Sequence, residues 1–140
     1  MEIVPTLVSA SKLKKYDVIN PAGEDLGQVQ NFMFDIANGR IALVIVSFGG
    51  TLGISDKWYA VPWDAMQWSP ETKKFVLNAP RESIKRLPGL SGRWEDELNL
   101  MALSQICDAF GCRPYWVAKQ EEYCGNGTQP RAIGKATILK

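Results

Sequence analysis

Histidine does not occur among the 140 residues, so a reaction centre in this chain would have to be assembled without an imidazole. That removes the commonest general base, the Ser/His and Cys/His nucleophile pairs, and every metal site that needs a ring nitrogen. Asp56 and Asp64, at the two ends of the run Asp56–Asp64, could in principle be a carboxylate pair for acid–base work. Acids at strand ends are, however, usually solvated turn residues. The thiols Cys107, Cys112 and Cys124 make an odd set in the last third of the chain, which points to free cysteines rather than a disulfide framework. Zinc normally takes four ligands, so three thiolates leave a site incomplete unless two chains share it. Cys107 falls on an apolar helical stripe, where a small buried hydrophobe is the simpler reading. Gly49-Gly50-Thr51-Leu52-Gly53 lacks the Gly-Lys-Ser/Thr ending of a phosphate loop and leads into a strand, not a helix. The sequence therefore predicts no catalytic residue, cofactor or metal, and no enzyme.

Binding is the better prospect. Trp58, Tyr59, Trp63 and Trp68 crowd into one short segment. Aromatics interleaved with basic residues stack single-stranded bases, but here Lys57 is the only basic neighbour, and Asp56 and Asp64 lie as close. A barrel core with a partner-facing surface explains the cluster better. Trp58, Tyr59 and Trp68 are therefore candidate partner-binding residues, joined by Trp94, Leu98 and Met101 from a later apolar row. Exposed aromatics of this kind anchor interfaces.

The elements that hold these residues fall into two textures. Residues 1–90 read as short strands separated by turns. Leu26 to Ile36 alternates except at Val29, a slip that predicts a bulge near Gln30-Asn31. Ala37-Asn38-Gly39-Arg40 predicts a hairpin with a type I′ turn. Ile41 to Val46 is apolar at every position, so this strand must be covered on both faces, by the barrel core and by a lid from a later helix or a second subunit. Lys57–Val61 and Lys73–Asn78 read as further strands, and Pro80 and Pro88-Gly89 bracket a short helix, Arg81–Leu87. Residues 91–116 carry a helix from about Trp94 to Phe110, acidic in its first turn and stopped by Gly111. Trp94, Leu98 and Met101 form one apolar row on it, and Leu100, Leu103, Ile106, Cys107 and Phe110 another, packed on the barrel or on a partner. Residues 117–140 read as a flexible tail in which 132–139 would add a strand to a barrel edge, in its own subunit or a neighbour's.

The net charge of +1 argues against bulk attraction to nucleic acid or anionic membrane. Apolar residues make up 46% of the chain and charged residues 22%, the ordinary globular range. The N-terminus places Glu2 where a signal peptide would be basic, and no apolar run approaches the ~20 residues of a membrane span. A soluble, cytoplasmic protein is expected.

Four ordered pieces resemble the PRC-barrel family: Ser9–Leu13, Asn20–Val29, Gly39–Val46, and Ser47–Lys57 ending in Ala60-Val61-Pro62-Trp63-Asp64-Ala65. Pro114-Tyr115-Trp116 resembles the segment that follows many single-domain members. The resemblance implies a mainly β fold, a small, strongly bent PRC-type β-barrel with a C-terminal α-helix, shared with the cytoplasmic domain of the photosynthetic reaction centre H subunit and the C-terminal domain of ribosome maturation factors. It also implies a module that docks on macromolecules and does no chemistry, so no catalytic residues carry over. The expected function is binding or assembly, with a homodimer as the leading partner because the Ile41 strand and the helix offer more apolar surface than one small barrel hides. The alternatives are an RNA- or ribosome-associated processing factor, and a metal- or small-molecule-binding regulator that uses the C-terminal cysteines.

Overall fold

The computed structural model describes residues 5–49 and 57–117. Most of the glycine-rich loop, with Asp56, and the tail from 118, with Cys124 and the expected terminal strand, lie outside the described residues.

A short helix, α1 (Ala10–Leu13), precedes strands β1 (Asp17–Ile19), β2 (Asp25–Asp35), β3 (Arg40–Phe48), β4 (Lys57–Pro62), β5 (Met66–Ser69) and β6 (Lys74–Leu77). Helices α2 (Arg81–Arg86) and α3 (Leu100–Ala109) follow. The strands form one six-stranded sheet in the order β4-β3-β2-β1-β6-β5, antiparallel except for β1 beside β6. Its two edge strands are consecutive in sequence, joined by a three-residue 3-10 turn, Trp63–Ala65. A flat six-stranded sheet would put its edges about 24 Å apart. Three residues bridge at most about 14 Å, so the sheet must curl, and it forms a strongly bent half-barrel.

Two irregularities in β2 make the bend. The register slips between Val29 and Asn31, at the expected bulge, and again between Met33 and Phe34. Where β2 crosses from β3 to β1, Gly27 has φ +127°, and a Cβ there would lie 2.2 Å from the Ser47 carbonyl oxygen. Only glycine lets the two backbones come this close.

The hairpin between β2 and β3 differs from the expected type I′ turn. Its loop is 36–39, and of Asn38 and Gly39 only Gly39 has positive φ, with its N–H donating to the Asp35 carbonyl at 2.8 Å. Asn38 keeps negative φ because its side chain and N–H both bond the Asp35 carboxylate. β5 is not among the strands that the sequence pattern predicts. Its Trp68 and Met66 sit between Pro62 and Pro70, a stretch that reads locally as turns.

The curl encloses a core of Val18, Leu26, Val29, Phe32, Val44, Val46, Tyr59, Val61, Phe75, Leu77 and Ile84. The opposite face of β3 and β4 carries a second buried layer, Leu43, Ile45 and Ala60, packed under Leu90, Trp94, Leu98, Leu103 and Ile106. The apolar β3 is thus covered on both faces by its own chain. The covering segment is not one helix from Trp94 to Phe110. A 3-10 turn, Trp94–Glu97, ends at Leu98 (φ −82°, ψ 81°), and α3 restarts behind Asn99, whose side chain accepts the Ala102 N–H at 2.8 Å. This N-cap breaks the helix and resets its phase. Leu103 and Ile106 therefore face the sheet, whereas Leu100 and Met101, expected on the buried rows, point to solvent.

Candidate interaction surface

β4 divides its side chains between two layers because strand residues alternate. Tyr59 and Val61 enter the core; Trp58 and Ala60 face out. Tyr59 is 1% exposed, and its hydroxyl donates to the Leu26 carbonyl at 2.7 Å. In this fold it is a core residue, which corrects its assignment to a partner surface. Burial, with Asp25 nearby, pushes its pKa well above the ordinary tyrosine value.

Trp58 is 37% exposed and lines a groove of about 270 Å³ with Lys57, Gly89, Leu90, Ser91, Gly92 and Trp94. The Leu90 N–H donates to the Trp58 carbonyl at 2.8 Å, pinning the groove's far wall to β4. Trp94 continues inward to the layer that holds Leu98, so the fold brings together three of the expected residues, Trp58, Trp94 and Leu98. Met101 is 70% exposed and its neighbour Leu100 63%. Trp68 lies apart on β5, stacked on Tyr16 at 5.4 Å and set edge-on to Phe75 at 5.1 Å. Its packing against the core is a structural role.

Two polar arrangements escape sequence reasoning. The Lys57 ammonium donates to the carbonyls of Ile84, Lys85 and Leu87 at 2.7–2.8 Å, which ties β4 to the C-terminal end of α2. These are carbonyls at the C-terminal end of a helix, a natural place for a cation. The second is a clasp. Tyr115 donates its hydroxyl to the Asp35 carboxylate at 2.5 Å, the Arg40 guanidinium lies 3.9 Å from the Tyr115 ring centre, and Arg40 pairs with Asp64 at 2.8 Å. Tyr115 and Asn38 hold the Asp35 carboxyl below its ordinary pKa, and burial and Asp35 raise that of Tyr115. Asp35 and Tyr115 are 80 positions apart, so only the Pro114-Tyr115-Trp116 ending signals this contact in the sequence.

Those of the residues considered for chemistry that are described have structural work. Asp64 is engaged by Arg40, and Asp56 is outside the described residues. At the end of α3 the Cys112 N–H donates to the Cys107 carbonyl at 2.9 Å and the Gly111 N–H to Asp108 at 3.1 Å, a Schellman ending that sets the two cysteines side by side. Burial raises both thiol pKa values, which keeps them protonated and poor as nucleophiles or ligands. Among the described residues no group of three or more Cys, Asp or Glu could hold a metal ion, and no helix is long and apolar enough to cross a membrane.

A curled half-barrel with an outer helical layer and an aromatic groove defines a small, mainly β module. The chain belongs to the PRC-barrel family: the family model for the PRC-barrel domain matches residues 5–84. No curated protein shows significant similarity to the chain. PRC-barrel domains are generally non-catalytic, and membership suggests a binding or assembly module.

Proposed function

We propose that the protein is a non-catalytic assembly module that self-associates through apolar side chains of its outer layer, chiefly Trp58, Leu100 and Met101. The observation that carries this reading is their exposure, 37%, 63% and 70%, together on the outer layer, while Leu7, Phe34 and Ile36 are exposed elsewhere on the fold. Large apolar groups held this open favour a protein partner. On the outer face of β3 and β4 the chain covers Leu43, Ile45 and Ala60 itself and leaves Trp58 partly open. Nucleic acid is disfavoured because Lys57, the one cation lining the groove, already serves three carbonyls. The reading places the protein in the cytoplasm, where free Cys107 and Cys112 stay reduced.

Light scattering on the full chain over a range of concentrations tests this. A dimer is expected for the wild type, and Met101→Asp or Trp58→Asp should convert it to monomer without loss of fold. A wild type that stays monomeric at all concentrations refutes self-association.

A further inference from the structure

The outer layer is built as a lid. Leu43, Ile45 and Ala60 are buried by residues that begin at Leu90 and end at Ile106, and this segment lies beyond the matched stretch 5–84. The helical part of the lid, α3, has ten residues, fewer than an isolated helix needs to be stable in water. It therefore requires an apolar face to sit on. Between the lid and Leu90, which stays pinned to Trp58, lie Ser91, Gly92 and Arg93, all exposed and closed by local polar contacts, the Trp94 N–H donating to the Ser91 carbonyl at 3.2 Å and the Ser91 hydroxyl to the Glu97 carboxylate at 2.8 Å. At its far end the lid is fastened by the polar Tyr115–Asp35–Arg40 clasp.

We propose that this lid is exchangeable: two copies open at Ser91–Arg93 and each seats its Trp94–Ile106 segment on the other's β3–β4 face. The occupant is a second copy because the lid's own side chains already show the fit. Every contact made within one chain is remade between two, so exchange costs no interface contact, and the hinge decides the balance. The clasp is also remade in the dimer. It therefore governs how fast lids open and not how much dimer forms. The inference rests on the self-association reading and adds an exchanged lid to its exposed contacts.

The test uses full chains with altered hinges. Deleting Ser91 and Gly92 leaves too little chain to fold back and should give dimer throughout; inserting four Gly/Ser residues after Gly92 should give monomer. Tyr115→Phe removes the clasp hydroxyl and should speed the mixing of donor- and acceptor-labelled copies several-fold, with the dimer fraction unchanged. A shortened variant that is monomeric with wild-type circular dichroism overturns exchange. So does a dimer that survives hinge lengthening, or the absence of mixed dimers among Tyr115→Phe copies at millimolar concentration, whatever the shortened variant does. A dimer indifferent to the hinge but dissolved by Met101→Asp refutes exchange and keeps self-association; no dimer in any variant refutes both.

Discussion

Single atoms decide more here than residue class suggests. Tyr59 was legible in the sequence as an aromatic of importance, but its neighbourhood in a Trp-rich run pointed outward, and only the strand's phase turns it into the core. Its hydroxyl satisfies the Leu26 carbonyl, so Tyr59→Phe should cost about 1–3 kcal/mol, the usual penalty for stranding a buried polar group, read as a lower urea midpoint at unchanged slope. Gly27→Ala should cost more, about 3 kcal/mol or above, because a side chain is strained at that φ and the Ser47 backbone cannot retreat without opening the β2–β3 ladder. Asp35 gives a pH signature. Its folded pKa lies below its unfolded value of about 3.9, so it adds stability above that pH and loses it as the pH falls through the folded value. Asp35→Asn should therefore be less stable than wild type at neutral pH and show a flatter acid limb, the two curves converging in strong acid. Tyr115, raised in the folded state, acts at the other end: its contribution is intact below about pH 10 and lost as the pH rises towards the folded value. Tyr115→Phe should soften the alkaline limb.

At the scale of elements, what the sequence made legible were features with local causes. The bulge after Val29 appears as a break in alternation, β3 as an unbroken apolar run, and α2 as a span between prolines. The elements it hid have distant causes. β5 is a strand because Met66 and Trp68 pair with β6 and Trp68 stacks on Tyr16, none of which its own residues announce. The helix break at Leu98 has a local cause, the Asn99 cap, but the apolar rows on either side run through it and mask it. Asn99→Ala should lower stability by about 0.5–2 kcal/mol and loosen amide protection in the first turn of α3 before anywhere else, a pattern that hydrogen exchange resolves. Leu103→Ala, which opens the layer over Ile45 instead, should cost about 2–4 kcal/mol and expose the β3 amides as well.

For the whole molecule, the family's half-barrel and the lid are different kinds of structure. The half-barrel is closed by side chains that alternate within strands, which is why ordered sequence pieces identify it. The lid is held by contacts between residues far apart in the chain, and its docking partner, self or neighbour, is a matter of hinge and concentration. The one parallel pairing has a consequence of its own. β1 lies between β2 and β6, with Val18 opposite Phe75 and Ile19 opposite Val76, so the first of the described strands waits for the last of them. During synthesis the antiparallel β2–β3–β4 meander can assemble as it leaves the ribosome, while β1 keeps one edge open until residue 77 has followed. Contacts of such long sequence separation are the slow ones to form. The pairing thus favours a ribbon first and the completed half-barrel only after β6 is released, and for that interval β1 is an edge open to a wrong neighbour.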